Sequence, residues 1–201
     1  MSSILKVDEI QDTSGNNIIN ENANTVTIGK SGDTVNVIGT LQNGGTNFLQ
    51  GITEADQWRL TANFTGNADP IASNLERNDN PSFGYIGTGM TESSGIFTFP
   101  ETGIYQVEFI ATMARLSSDA IVNYAIEGTT DNSSYSILAR NHTNTGTIAD
   151  SYNEIVTSTF FDVTDTSTHK VKFVVSSSSQ TTIGNSTQNN TYMTFIRLGD
   201  T

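Results

Sequence analysis

The chain has 201 residues, a net charge of −12, only nine Lys and Arg, and no cysteine. The length suffices for one good core, or for a small domain with an extension. The charge argues against nucleic acid and anionic membrane as partners, and the missing cysteines exclude disulfides, thiol nucleophiles and thiolate metal sites.

Apolar residues make up 35 % of the chain, and Ser, Thr and Asn together roughly a third. That mixture suits short β-strands joined by wet turns and is poor material for helices. Ten Phe and six Tyr, recurring with β-branched residues at strand spacing, argue against disorder. The acidity is explained by solubility, and stability without disulfides is expected to come from oligomerisation.

Residues 1–50 read as short strands punctuated by Gly and Asn, with Phe48 the first aromatic. The opening lacks a basic region followed by a long apolar run, so a secretory signal is not expected there. The chain is expected to be made in a cytoplasm and, if it works outside, to leave by a route other than a classical signal, of which virion assembly followed by lysis is one. A nine-residue repeat follows: Thr25-Val26-Thr27-Ile28-Gly29 is echoed by Thr34-Val35-Asn36-Val37-Ile38, with a turn at Lys30-Ser31-Gly32-Asp33. Two such strand–turn units cannot bury an apolar face alone, which points to neighbouring chains in a threefold β-fibre, or to an ordinary hairpin. Gln42-Asn43-Gly44-Gly45-Thr46-Asn47 reads as a linker. Ile52–Trp58 reads as one helical turn with Thr53 as its N-cap.

Strands are then expected at 59–64, 84–86, 96–99, 103–113, 120–127, 136–140, 153–162, 169–176 and 191–198. Turn-like clusters separate them at Gly66–Pro70, Asn78–Pro81 and Gly128–Asn132. The clearest signal is Gly95–Met113. Ile96-Phe97-Thr98-Phe99 leads through Pro100-Glu101-Thr102-Gly103 into a run where Tyr105, Val107 and Phe109 alternate with Gln106 and Glu108. Proline pre-sets a negative φ, glycine tolerates a positive one, and the period of two marks a strand with one buried face. Strands of this number and spacing define an all-β chain: a short N-terminal β-repeat, 1–50, then a jelly-roll sandwich, 51–201.

The hairpin and the ending Thr191-Tyr192-Met193-Thr194-Phe195-Ile196-Arg197-Leu198-Gly199 resemble the complement-one-q and tumour-necrosis-factor jelly-roll superfamily over roughly residues 58–200. That resemblance implies a homotrimeric binding head rather than a catalyst. No collagen-like stalk precedes the head, and the N-terminal repeat would take its place. Phe97, Phe99, Tyr105, Val107, Phe109, Tyr192, Phe195 and Ile196 are the candidates for trimer face or sandwich core. Ser3–Ile19, the Thr-Val-Thr-Ile-Gly repeat and Gly87–Pro100 resemble segments of marine, cyanophage-like tailed-bacteriophage structural proteins. The resemblance implies docking on other virion proteins through Ile4, Leu5, Val7, Ile10, Ile18 and Ile19.

Catalytic signals are sparse. His142 and His169 belong to no ligand motif, and neither a nucleophile elbow nor a phosphate loop is present. Asp162, Asp165, Glu101, Glu108 and Glu127 are carboxylates of the kind glycoside hydrolysis needs, but an acidic chain supplies many. No cofactor is expected. Asp79 with Asn78 and Asn80, and Asp131 with Asn132, offer oxygens that suit calcium and equally suit plain turns. The expected function is a non-enzymatic virion protein: a short trimeric tail fibre or knob whose jelly roll binds a host glycan or outer-membrane protein. The contacts would fall on loops 117–119, 131–134, 141–150 and 176–188. The alternative is a capsid or tail decoration or connector protein with a structural role. No nucleic-acid partner and no membrane insertion are expected.

Overall fold

A computed structural model describes residues 51–114, 121–144, 151–177 and 179–201, together with residues 9–11, 13, 17–22, 25–28, 31–38, 42–43 and 46–47. The chain divides into two compact units, Met1–Gln50 and Gly51–Thr201.

In the first unit β1 (Glu9–Gln11), β2 (Asn17–Asn22) and β3 (Thr25–Ile28) form an antiparallel sheet. Its register places Ile19 between Ile10 and Ile28. β4 (Gln42–Asn43) and β5 (Thr46–Asn47) make a small hairpin where the sequence suggested a linker. The nine-residue repeat does not continue as strand. Residues 33–37 lie outside any strand, and Val35, Val37 and Ile38 are exposed. The partner of β3 is the preceding strand β2, so local pairing, rather than the echo, fills its edge.

The second unit is a sandwich of two antiparallel sheets. Its strands are β6 (Ala55–Leu60), β7 (Phe64–Thr65), β8 (Leu75–Arg77), β9 (Thr91–Ser93), β10 (Ile96–Thr98) and β11 (Gly103–Ala114). There follow β12 (Ile121–Thr129), β13 (Ser136–Asn144), β14 (Tyr152–Val163), β15 (Lys170–Ser176), β16 (Thr181–Thr182) and β17 (Tyr192–Gly199). The larger sheet runs β14–β11–β17–β6–β8, with β16 and β7 extending it beside the end of β11. The smaller runs β13–β12–β15–β10–β9.

Strict alternation on β11 drives the packing. Tyr105, Val107, Phe109, Ala111 and Met113 point inward and are buried. Phe161, Met193 and Phe195 join them from the same sheet, and Phe97, Tyr124, Ile126, Val171, Phe173 and Val175 from the other. Phe97 is the hub, with ring centroids 5.5, 5.4 and 5.2 Å from Trp58, Phe173 and Phe195. Offset and edge-on aromatic pairs of this kind add to area burial because ring edges and faces carry opposite partial charge.

Three expectations are corrected. Ile52–Trp58 is not a helical turn: residues 51–54 carry no regular structure and β6 begins at Ala55, ending at Leu60 rather than Phe64. The carboxylates of Glu54 and Asp56, which look like first-turn helix residues, are instead taken by distant backbone amides. Segment 84–86 contributes an isolated bridge, Ala55 to Ile86, and no strand. Finally, 176–188 is not an exposed loop throughout, since Ser177 and Gln180–Thr182 are buried and β16 pairs with both β7 and β11.

Candidate functional site

The Gly87-Thr88-Gly89-Met90 segment has a mechanical explanation. Glu54 accepts the Thr88 amide on Oε1 and the Gly89 amide on Oε2, each at 2.8 Å. Asp56 accepts the Met90 amide at 2.7 Å, the Trp58 indole N–H at 2.9 Å and Arg77 Nε at 3.0 Å. Both carboxylates are buried, and charge-assisted bonds to several donors offset their desolvation. Gly87 and Gly89 adopt φ of 77° and 74°. A Cβ on Gly87 would lie 2.2 Å from Glu54 Oε1, so only glycine lets this backbone approach so closely. Arg77 stacks over Trp58 at 5.1 Å and Tyr85 at 4.8 Å, fastening the exposed Tyr85–Ile86 corner to the edge of the large sheet.

From that corner an apolar band crosses the outer surface of the large sheet. Register sets its rows. Phe160, Gln106, Ile196, Ala55 and Ile86 are neighbours in one row. Ser158, Glu108, Thr194 and Gln57 form the next, and Val156, Ile110, Tyr192 and Arg59 the third. Phe160 is 68 % exposed, Tyr152 69 %, Val156 45 % and Ile86 48 %, while Ile110, Tyr192 and Ile196 are half-buried. Arg59 offers this surface no free charge: it is fully covered and bridged by Glu76 at 2.6 Å and Asp79 at 2.5 Å. Two apolar rows, one interrupted by Gln106, thus flank the polar row of Ser158, Glu108, Thr194 and Gln57. Exposed apolar side chains gathered on a sheet face in this way point to a protein contact.

The sequence-derived candidates therefore part company. Phe97, Phe99, Tyr105, Val107, Phe109 and Phe195 lie in the sandwich core, whereas Tyr192 and Ile196 lie half-buried on the outer surface. Val156, Phe160 and Ile110, which complete that surface, were not singled out from the sequence. Adjacent apolar pairs, Ile155-Val156 and Phe160-Phe161, were the available signal, because a strand covered on one face alternates and a strand covered on both does not. Of the docking candidates, Ile10 is on β1 and Ile18 and Ile19 on β2, while Ile4, Leu5 and Val7 lie outside the described residues. So do loop 117–119 and residues 145–150; Asn141–Asn144 belong to β13.

The remaining polar candidates are occupied locally. Asp79 accepts from Arg59. Asp131 accepts the Ser134 amide, the Thr129 hydroxyl and the Ser133 amide, which in that order hold its carboxyl well below the usual aspartate range. Buried His169 sits between the Thr164 and Thr168 hydroxyls with its ring 5.8 Å from Phe161, and exposed His142 meets Asn123. Asp165 turns back on Ser167, Glu127 pairs with Lys172, and Glu101 with Arg197. Asp162 is exposed and Glu108 half-buried on the outer row of the large sheet. Among the described residues no group of three or more His, Asp or Glu is placed to hold a metal ion, and no helix is long and apolar enough to cross a membrane.

The architecture is a tumour-necrosis-factor-like jelly roll. Eiger TNF from S. frugiperda superposes with a TM-score of 0.57 at 12 % identity, over 73 % of this chain and 93 % of that one. Murine APRIL superposes with a TM-score of 0.52 at 12 % identity, over 72 % of this chain and 98 % of the other. No family model and no curated protein sequence matches.

Proposed function

We propose that this chain is a non-enzymatic virion protein of a tailed phage, a short homotrimeric fibre or knob. The carrying observation is the apolar band across the outer surface of the large sheet, from Phe160 and Val156 through Tyr192 and Ile196 to Ile86. Water penalises that surface, and a second and third copy of the same chain would cover it. The tumour-necrosis-factor-like fold supports three copies, since the superfamily it resembles builds trimeric heads.

The virion setting rests on the leader. Ser3–Ile19 and the Thr-Val-Thr-Ile-Gly repeat resemble phage structural proteins, and residues 1–50 would dock on other virion proteins. The head would face outward, with turn 131–134 among the groups presented to a host glycan or outer-membrane protein. Light scattering of the full chain should give the mass of three chains, and a monomer would sink the fibre and trimer readings together. Gold-labelled antibody against the head should mark tail or fibre tips on particles. Label over the capsid would favour a decoration protein instead, and no label would remove the virion setting.

A further inference from the structure

Glu108 stands near the middle of the proposed contact surface. It lies on the outer row of β11, opposite Ser158 of β14 and Thr194 of β17. The rows on either side carry Phe160, Gln106 and Ile196, and Val156, Ile110 and Tyr192. The charged and titratable groups on that surface are few. β14 contributes Glu154, Asp162 and the exposed Tyr152 phenol, β17 the Tyr192 phenol, and β6 the covered Arg59. Arg59 is held by Glu76 and Asp79, and no ion pair among the described residues reaches Glu108 or Glu154. Tyr192 registers the resulting field: burial first, then Glu108 and Glu154, push its phenol up.

An uncompensated carboxylate can stay ionised on this surface while water reaches it. Closing the surface against another copy would remove that water, while Glu154 stays on the same face as a like charge. Desolvation and like charge both favour the neutral acid.

We propose that self-association through this face is proton-linked at Glu108, each copy taking up one proton from solvent as the contact closes. The inference rests on the self-association reading above. The sign follows from linkage: the carboxyl pKa is higher in the assembly than in the free chain, so association gains from acid and loses as pH rises through the carboxyl range. Each unit of elevation changes the association constant by about tenfold per carboxyl. Three carboxyls acting together would weaken the trimer by about a thousandfold per unit.

The test is association of the full chain between pH 5.2 and 8 at fixed ionic strength. It would be read by fluorescence-detected sedimentation at nanomolar concentration, and by subunit exchange where dissociation is not reached. Wild type should associate at least tenfold more weakly, or exchange faster, at the upper pH. Glu108→Gln should be nearly flat with pH and tighter than wild type at pH 8. Glu127→Gln removes the same charge from the smaller sheet and should keep the wild-type slope, separating a local effect from general charge repulsion. A wild-type slope in Glu108→Gln overturns the proton linkage. Ile196→Asp distinguishes that failure from the larger one: it should abolish association, and if it does not, the face itself is wrongly assigned.

Discussion

The two sheets of the sandwich share one core and one alternating pattern, yet their outer surfaces differ in chemistry. On the smaller sheet the outward residues include Lys170, Lys172, Glu127, Arg140 and His142, with the exposed side chains of Ile121 and Ile137 among them. Lys172 bridges Asp69 at 2.6 Å and Glu127 at 3.2 Å, and its ammonium lies 4.9 Å from the Tyr135 ring. Charges of both signs satisfy one another there while remaining in reach of water. On the larger sheet the outward positions hold Phe160, Val156, Ile110, Tyr192 and Ile196 around a polar row of Ser158, Glu108, Thr194 and Gln57, and no ion pair among the described residues reaches Glu108 or Glu154. A sheet needs only one covered face to fold, so the exposed rings and branched side chains clustered on the outer face of the larger sheet point beyond folding.

The strongest way to break this comparison is to remove what the surfaces share. Phe97 is fully buried and touches rings from both sheets. Phe97→Ala should cost about 3–5 kcal/mol of stability through lost transfer energy and an unfilled cavity. Denaturant unfolding would measure it, and association should fail in proportion to the fraction unfolded. A loss under about 1 kcal/mol would mean that the two sheets are not joined through this aromatic hub.

A gentler pair of changes separates the two faces. Phe160→Ser removes a ring that is 68 % exposed, so the isolated chain should keep its stability within about 0.5 kcal/mol. Light scattering should nevertheless show a weaker assembly, by about tenfold or more, since burying a Phe ring contributes about 1.5–3 kcal/mol. Arg140→Ser, on the exposed edge of the smaller sheet, should leave association unchanged. Equal effects from the two changes would erase the distinction between the faces.

Much of this was readable in advance, and the exceptions share a cause. The β11 alternation, the Pro100–Gly103 turn and the last strand depend on local pattern and were legible. β8, β9 and β16 have two or three residues each, too few for a clear alternation, and the partners of β16, β11 and β7, lie far away in sequence. The misread start of β6 has the same origin. Thr53 and Glu54 look like a helix entry, and only the arrival of amides 88–90 reveals what their neighbourhood does. The proposed contact surface was half legible: Tyr192 and Ile196 stood out, but register alone tells inner from outer rows.

The smallest effect concerns Tyr105, which sits on the inner row of β11 directly beneath the contact surface. Its hydroxyl donates to the Glu101 carbonyl at 3.0 Å, and its ring packs 4.6 Å from Phe99. Burial first, then the nearby carboxylates of Glu101 and Glu54, push its pKa from 10.0 up to about 12. The unfolded chain therefore releases this proton at lower pH than the folded one. Stability attached to Tyr105 is fully present below pH 10 and is lost as pH rises toward 12. An ultraviolet phenolate titration should show Tyr105 among the late-ionising tyrosines, and Tyr105→Phe should flatten the alkaline arm of the stability profile. The proton linkage proposed for Glu108 concerns assembly instead, so the two residues are tested by different measurements. If Tyr105→Phe shifted the acidic dependence of association, inner and outer rows of β11 would be coupled, and the separation of core from contact surface would have to be redrawn.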